Sequence, residues 1–246
     1  MTDLRENERI DDLEINGFRI IQNPLFFCFG MDAVLLANFA DIGEDRDVID
    51  LGTGTGIVPL LLAAKGKGRS WKGIEIQADV ADMARRSVEL NGIQDKCEIV
   101  VEDICNLKNH YQPGSFGAVT TNPPYMKDQA GIKNPNNSKY ISRHETSATL
   151  EDIVSMASYL LKTRGSFTMV HRPSRLPEIM ALMTKYRLEP KRMQLVQPYV
   201  DKPANMVLIE GIKEGGQELK LLPTLIVYEA DGSYTKELLR YYGKEL

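Results

Sequence analysis

The sequence has few cysteines and no long apolar run. Its 246 residues include three cysteines, Cys28, Cys97 and Cys105, without a C-x-x-C pair. This odd, widely spaced set excludes a disulfide framework and argues against a zinc site, so free thiols are expected. No apolar run reaches the roughly 18 residues of a membrane-spanning helix. The acidic N-terminus lacks the apolar segment of a signal peptide, which predicts a cytoplasmic protein.

The chain has no overall surplus of positive charge, but its charge is unevenly distributed. The net charge is −4, and residues 1–16, with six acids and two arginines, account for all of it. Residues 126–143 carry four basic side chains against one acid, and residues 185–202 carry five against two. Such local surplus serves phosphate contacts in nucleic-acid-binding proteins, although a solvated surface has the same composition. Both interpretations stay open at this point.

From residue 47 onward the chain alternates between apolar strand-like runs and helix-like segments. This alternation is typical of an α/β protein with a doubly wound, mostly parallel sheet, here of seven strands. The last two strands, within residues 188–200 and 204–214, are expected to pair antiparallel at the sheet edge. We therefore divide the chain into an N-terminal extension or lid, residues 1–46, and a main domain, residues 47–246. Residues 127–149 are polar, and a loop of that length is usually functional or disordered.

A glycine-rich turn, DLGTGTG, joins the first strand of the main domain to its first helix. Its candidate ligand-binding residues are Asp50, Gly52, Gly54 and Gly56. Glycines allow a ligand to approach the backbone closely, and the helix N-terminus offers free N–H groups. The spacing is G-x-G-x-G, which differs from the G-x-G-x-x-G of dinucleotide sites. A tight strand-to-helix turn without a ligand has the same composition.

Two acidic residues follow the next two predicted strands. Glu75 stands where a carboxylate can accept from both ribose hydroxyls of a bound nucleoside. Asp103 stands where it can accept from an adenine amino group. A ligand that combines adenosine with an amino-acid tail fits these groups better than NAD does. Acids at strand ends also serve as plain caps, so each residue has a structural alternative.

The stretch TNPPY, residues 121–125, follows the fourth predicted strand. Its two prolines forbid a regular helix and remove two backbone N–H donors. An amide precedes them at Asn122, and an aromatic ring follows at Tyr125. A proline-rich turn without function is the alternative. The three histidines form no metal-ligand pattern, so no metal site is expected.

Together, DLGTGTG, the acids at 75 and 103 and NPPY resemble the class I S-adenosylmethionine-dependent methyltransferases of the N6-adenine type. The flanking stretches FCFGMDAVLLANF and VHRPSRL are similar to those of the bacterial tRNA1(Val) adenine-N6 methyltransferases, which act on the adenine 3′ of the anticodon, position 37. The resemblance implies S-adenosyl-L-methionine as cofactor and tRNA as partner, without metal or membrane. The oligomeric state stays open, with a monomer favoured.

The resemblance also implies roles for individual residues. It assigns Asn122, Pro123 and Tyr125 to catalysis, with the Asn122 side-chain oxygen and the Pro123 carbonyl as acceptors for the target amine and the Tyr125 ring as a stacking face. Cofactor binding is assigned to Asp32 and to the turn and strand-end residues, which are Asp50, Gly52, Gly54, Gly56, Glu75 and Asp103. Whether Asp32 or His171 has a direct role is left open.

NPPY alone does not identify the substrate. Protein glutamine N5-methyltransferases share it, because a side-chain amide is also a planar, delocalised nitrogen. They usually carry an additional N-terminal helical domain, for which the 46 residues before the main domain leave little room. A non-catalytic module that binds the cofactor or RNA is a third alternative. The leading hypothesis is a tRNA adenine-N6 methyltransferase.

The candidate RNA contacts lead to a prediction about salt. Lys127, Lys133, Lys139 and Arg143 follow NPPY in a segment with one acid. Single-stranded nucleic acid gives a log K against log salt slope of about −0.7 per phosphate contact, so three or four contacts predict a slope of roughly −2 to −3. Replacing all four residues by Ala should weaken tRNA binding and flatten the slope, with cofactor binding unchanged. Wild-type affinity and slope in that variant would move the RNA path elsewhere, first to residues 185–202.

Overall fold

The computed structural model describes residues 4–26, 28–124 and 148–244. Eleven strands lie in these residues: β1 (Arg9–Asp12), β2 (Arg19–Gln22), β3 (Asp47–Leu51), β4 (Ser70–Glu75), β5 (Cys97–Val101), β6 (Phe116–Thr121), β7 (Leu161–His171), β8 (Leu188–Gln197), β9 (Met206–Lys213), β10 (Lys220–Leu221) and β11 (Leu225–Ile226). Within this part of the chain, no helix has the length and apolar character needed to cross a membrane.

Six α-helices accompany these strands in the described ranges. They are α1 (Met31–Phe39), α2 (Ile57–Ala64), α3 (Ala78–Leu90), α4 (Leu150–Leu160), α5 (Leu176–Lys185) and α6 (Lys236–Tyr241). Short 3-10 helices cover Ile104–Asn109 and Pro173–Arg175. The Asn91-Gly92 pair in the sequence predicts the end of α3, and this is confirmed, because the helix closes at Asn91 and Gly92 follows with a left-handed φ of +66°.

One sheet contains all strands except the hairpin β1–β2. Its order is β10-β8-β9-β7-β6-β3-β4-β5, and β11 also pairs with β8. Strands β5, β4, β3, β6 and β7 are mutually parallel, whereas β9 runs antiparallel to both β7 and β8. The predicted α/β class, mostly parallel sheet and antiparallel β8–β9 pair are therefore confirmed. The sheet has nine strands instead of seven, because β10 and β11, of two residues each, are too short to show a period in sequence.

The helices cover both faces of the sheet, as a doubly wound fold requires. Successive side chains of a strand point to opposite faces. In β3, Val48 accordingly joins an apolar cluster that includes residues of α1, α2 and α3, whereas Ile49 and Leu51 join a second cluster with residues of α4 and α5. All three side chains are at most 2% exposed. This leaves the carboxyl edge of the sheet as the open side of the main domain.

The junction of α4 and β7 differs from the prediction. Sequence reasoning places the end of this helix at Gly165, but α4 ends at Leu160 and β7 begins at once with Leu161. A bulge in the β6–β7 pairing explains the difference, since Phe116 pairs with Leu161 while Ala118 pairs with Ser166. A Cβ at position 165 would lie 2.8 Å from Leu161 Cδ2. Gly165 is therefore needed for close packing in the bulge.

The N-terminal hairpin is fastened to α3. The Ile21 N–H donates to the buried Ser87 hydroxyl at 2.9 Å. The Arg86 guanidinium, with 15% of its side chain exposed, pairs with Glu8 at 2.5 Å and with Asp82 at 2.8 Å. Arg86 thereby joins the hairpin side of the molecule to the helix. Since α1 packs against α2 and β7, residues 4–26 and 28–39 rest on the same face of the sheet as α2 and α3.

Gly73, in the middle of β4, leads to a prediction about stability. A Cβ at this position would lie 2.7 Å from Thr53 Cγ2 and 2.8 Å from Ile99 Cδ1, and Thr53 belongs to the glycine-rich turn. Overpacking of this kind costs about 1–3 kcal/mol. Gly73→Ala should therefore lower the free energy of unfolding in urea by that amount. Gly216→Ala is the matched control, because a Cβ there meets no atom within 4 Å. Equal unfolding free energies for the two variants would contradict this packing.

Candidate functional site

The ends of β3 and β6 are tied together by side-chain hydrogen bonds. In their parallel pairing, Asp50 stands opposite Thr120 and Leu51 opposite Thr121. The Thr120 hydroxyl donates to Asp50 Oδ1 at 2.7 Å, and the Thr121 hydroxyl donates to the Leu51 carbonyl at 2.8 Å. All four residues are at most 2% exposed. The glycine-rich turn and the segment starting at Asn122 therefore leave the sheet side by side, at its carboxyl edge.

The three glycines of the turn all have left-handed backbone conformations, but they serve different purposes. Gly52, Gly54 and Gly56 have φ values of +73°, +59° and +84°. A Cβ at Gly56 would lie 3.2 Å from the Ala84 Cβ, so this glycine allows α2 to pack against α3. Cβ atoms at Gly52 and Gly54 would meet nothing within 4 Å. These two glycines border the open space in which a ligand would contact the backbone.

Glu75 holds the turn against the end of β4. Its Oε2 accepts from the Gly54 N–H at 3.0 Å, and its Oε1 accepts from the Gln77 N–H at 2.9 Å. The residue is 6% exposed, and burial raises the pKa of its carboxyl. Each carboxylate oxygen has two lone pairs, so Glu75 keeps acceptor capacity for a ligand hydroxyl. The same side chain thus fixes the conformation of the turn against the end of β4.

Asp50 is the most perturbed acid at this edge. It is 2% exposed, and its burial raises the pKa of its carboxyl to about 7, although the Thr120 hydrogen bond acts in the opposite direction. The nearby Glu75 carboxyl contributes in the same direction as burial. Two buried acids at one edge are costly unless a cation compensates them. Burial of both carboxyls at this edge therefore disfavours their ionised forms.

Asp103 lies two residues beyond the end of β5 and caps the following 3-10 helix. Its Oδ1 accepts from the Cys105 N–H at 2.8 Å, and the residue is half-buried. The carboxylate of the neighbouring Glu102 contacts the His110 ring at 2.8 Å instead. Since β5 is parallel to β4, Asp103 lies at the same edge as Glu75.

Sequence reasoning missed two apolar side chains at this edge. Ile76 follows Glu75 directly and is 38% exposed, and Val101, which pairs with Glu75 across the strands, is 37% exposed. Exposed branched side chains beside two acids provide an apolar surface for a flat ring. The available signal was the apolar residue directly after the strand-end acid in the stretch IEI.

The structure describes the predicted catalytic segment as far as Pro124. Asn122 is half-buried, Pro123 is buried and Pro124 is exposed. Tyr125 and the four predicted RNA contacts, Lys127, Lys133, Lys139 and Arg143, lie outside the described residues. Asn122 and Pro123 are therefore the two predicted catalytic residues that this structure places at the carboxyl edge.

Asp32 and His171 are both buried near element ends. Asp32, at the start of α1, is 8% exposed and accepts from the Ala33 N–H at 2.9 Å. His171, which ends β7, is 1% exposed, and its Nδ1 accepts from the Arg172 N–H at 2.7 Å. Burial lowers the pKa of His171 to about 4, so its imidazole is neutral at pH 7 and carries its proton on Nε2. His171 is therefore an uncharged, buried side chain at the end of β7.

The basic residues of 185–202 do not form one surface. Lys185 pairs with Glu151 of α4, and Arg192 pairs with the buried Glu210 at 3.1 Å. Lys185 lies near the amino edge of the sheet, because α5 ends and β8 begins there, whereas Arg192 lies in the middle of β8. Lys202 follows β8 and lies at the carboxyl edge. The alternative RNA path over this whole stretch is therefore not supported by the fold.

No metal centre is found within residues 4–26, 28–124 and 148–244, where no three His, Cys, Asp or Glu side chains are grouped to hold an ion. The free cysteines are separate: Cys97 is buried and Cys105 exposed.

Comparison with known proteins places the chain among methyltransferases. The family model for the methyltransferase small domain matches residues 30–187. A protein of Phocaeicola vulgatus named tRNA1(Val) (adenine(37)-N6)-methyltransferase is 30% identical over 188 residues, which are 70% of this chain and 78% of that protein. A protein of Porphyromonas gingivalis with the same name is 29% identical over 241 residues, covering 94% and 92% of the two chains.

Solved structures support the fold. A predicted O-methyltransferase of Agrobacterium tumefaciens aligns with a TM-score of 0.68 at 24% identity, over 86% of this chain and 95% of that one. Geranyl diphosphate C-methyltransferase of Streptomyces coelicolor, in complex with S-adenosyl-L-homocysteine, aligns with a TM-score of 0.53 at 17% identity, over 74% and 79%. The predicted O-methyltransferase and the C-methyltransferase therefore share the arrangement of sheet and helices of this chain.

The raised pKa of Asp50 predicts how stability depends on pH. Between about pH 4 and pH 7 the folded protein retains a proton that the unfolded chain releases, so stability falls as pH rises through this window. Asp50→Asn keeps an acceptor for Thr120 and removes the titration. The variant should therefore gain stability relative to wild type as pH rises, by up to about 4 kcal/mol at about 1.4 kcal/mol per pKa unit.

Urea unfolding of both proteins at pH 4, 5.5 and 7 measures this difference. A stability difference that stays constant across the three pH values would show that folding does not shift the pKa of Asp50.

Proposed function

This chain belongs to the methyltransferase small domain family, in its tRNA1(Val) (adenine(37)-N6)-methyltransferase group, and we propose that it transfers a methyl group from S-adenosyl-L-methionine to N6 of an adenine in tRNA. The target that its relatives' names suggest is position 37 of tRNA1(Val). The observation that carries the proposal is the β3–β6 register. It brings the Asn122–Pro124 segment beside the glycine-rich turn, where a cofactor and a base would meet.

The residues of the turn and strand ends fit S-adenosyl-L-methionine. Glu75 would accept from the ribose hydroxyls and Asp103 from the adenine amino group, with Ile76 and Val101 covering the ring. Gly52 and Gly54 leave room for the ligand along the backbone. When bound, the cofactor supplies an electrophilic methyl on a positively charged sulfonium. That charge matches the buried acids Asp50 and Glu75, which burial alone would favour in the neutral form.

Asn122 and Pro123 would activate the nucleophile. An exocyclic adenine amine is a poor nucleophile, because its lone pair is delocalised into the ring. The Asn122 side-chain oxygen and the Pro123 carbonyl would accept hydrogen bonds from its two N–H groups. These hydrogen bonds move the nitrogen toward a tetrahedral geometry and free the lone pair. The prolines at 123 and 124 keep competing N–H donors away from these acceptors. Positioning and preorganised electrostatics are then the main catalytic terms.

The remaining roles concern the RNA. Tyr125 would stack on the base once it leaves the loop, a step that costs only a few kcal/mol in an anticodon loop whose bases are partly unstacked. Lys127, Lys133, Lys139 and Arg143 would contact phosphates. Residues 1–46 would act as a lid through the turn before α1, with Asp32 closing over the methionine end of the cofactor.

The acceptor substrate tests the proposal. The purified protein is incubated with tritiated S-adenosyl-L-methionine and either tRNA lacking this modification or a peptide-release factor. The proposal expects label in the RNA alone. Label in the release factor would establish the protein glutamine alternative, and label in neither would leave a non-catalytic binding module.

Asn122→Ala should abolish turnover while cofactor affinity changes little. The side chain would touch the target amine and not the cofactor, so its loss affects the transition state. Removing one of the two acceptors of the target amine should lower kcat by a factor of about 10²–10³, as loss of one oxyanion-hole donor does in other enzymes. Single-turnover kinetics give the rate, and calorimetry with S-adenosyl-L-homocysteine gives the affinity.

Asn109→Ala is the matched control, since Asn109 is an exposed amide at the end of a 3-10 helix. This variant should keep wild-type kcat. Retention of more than a third of wild-type kcat by Asn122→Ala would remove Asn122 from the catalytic assignment.

A further inference from the structure

Four tyrosines form a ladder that the methyl-transfer chemistry does not use. The Tyr199 and Tyr228 rings have centroids 5.3 Å apart at an interplanar angle of 31°. Tyr228 stacks on Tyr234 at 5.4 Å and 23°, and Tyr234 stacks on Tyr242 at 6.2 Å and 8°. The rings come from the β8–β9 connection, the segment after β11 and the end of α6. Offset aromatic pairs at these distances are mutually stabilising.

The first two rings of the ladder border an open cleft. Its volume is ≈ 780 Å³, within the range of small-molecule sites, and Tyr199, Tyr228 and Ile226 are among its lining residues. Val200, also in the lining, is 80% exposed, the most exposed large apolar side chain in the described ranges. Tyr234 and Tyr242 lie outside this lining and stack behind Tyr228. The cleft therefore presents aromatic and apolar faces to solvent.

The cleft opens at the same edge of the sheet as Asn122. Strands β7 and β8 both run antiparallel to β9, so β8 ends at the carboxyl edge, and Tyr199 follows it by two residues. Three strand spacings separate β6 from β8, which is about 14 Å at about 4.8 Å per strand. That distance corresponds to roughly four stacked bases at about 3.4 Å each. A short single-stranded stretch can therefore reach from Asn122 to Tyr199.

The charges around the cleft favour ring stacking over phosphate binding. Lys202 pairs with Asp201 at 3.3 Å, and Glu229 is a further exposed acid in the lining. These charges leave no local surplus of positive charge. Arg172, at the end of β7, donates to the Asn205 carbonyl at 3.0 Å and lies between the cleft and β6. The lining of the cleft therefore lacks the surplus of positive charge that the segment after NPPY carries.

We propose that the Tyr199 ring, supported from behind by Tyr228, forms a stacking surface for unpaired bases of the RNA substrate, adjacent to the base that is methylated. This inference rests on the proposed function and adds the place where neighbouring nucleotides bind. Every base has a π-face, so aromatic platforms bind single strands with little dependence on sequence. Tyr199 is the end of the ladder among the described rings, and a base stacked on it would continue the ladder outward.

Ring-removing and ring-keeping substitutions test the surface. Tyr199→Leu should weaken binding of the tRNA substrate by about 5- to 150-fold, the fold-change that corresponds to about 1–3 kcal/mol per stacked base. Tyr199→Phe should bind within about twofold of wild type. Because stacking releases no phosphate counterions, the slope of log K against log salt should stay at its wild-type value in both variants.

Tyr234→Leu is the matched control, because this ring stacks in the ladder but lies outside the cleft lining. It should lower Tm more than Tyr199→Leu does and weaken tRNA binding less. Cofactor affinity, measured with S-adenosyl-L-homocysteine, should be unchanged in all three variants.

Two results would overturn the inference while leaving the proposed function intact. One is wild-type tRNA affinity in Tyr199→Leu, which would show that the cleft does not bind bases of the substrate. The other is equal losses of affinity in Tyr199→Leu and Tyr234→Leu in proportion to their losses of Tm, which would make the ladder a packing feature. A wild-type protein that neither binds nor methylates tRNA would defeat the proposed function itself, and the stacking surface with it.

Discussion

The pairing of β3 with β6 is the constraint on which the rest of the site depends. Two buried hydroxyl hydrogen bonds, from Thr120 to Asp50 and from Thr121 to the Leu51 carbonyl, hold the ends of these strands in register. A slip by one residue would turn every side chain of a strand to the other face, which the apolar clusters on both faces do not tolerate. The register therefore sets the distance between the glycine-rich turn and Asn122.

Burial of two acids at this edge links stability to ligand binding. Asp50 and Glu75 are both nearly inaccessible to water, and burial raises the pKa of each carboxyl. Burial therefore disfavours the ionised forms of both carboxyls. A sulfonium cation bound at this edge would stabilise the negative charge of these carboxylates, and the carboxylates would in turn stabilise the bound cation. Glu75 also binds the Gly54 N–H, and thus shapes the turn that the cofactor would contact.

Much of the fold and part of the site could be predicted from the sequence, because the signals are local. The run DVIDL, the turn DLGTGTG and the end of α3 at Asn91 each follow from a few neighbouring residues. The two-residue strands β10 and β11 have no period to detect, and the early start of β7 depends on a bulge against β6. The tyrosine ladder joins positions up to 43 residues apart, from Tyr199 to Tyr242, so only the folded chain reveals it.

The reaction proposed for this edge of the sheet is methylation of the exocyclic nitrogen of adenine. The most direct measurement is mass spectrometry of the nucleosides of tRNA that lacks the modification, after incubation with the purified protein and S-adenosyl-L-methionine. We expect N6-methyladenosine as the new methylated nucleoside, located in the anticodon loop. A methyl group on guanine, on a ribose or on no nucleoside at all would contradict it.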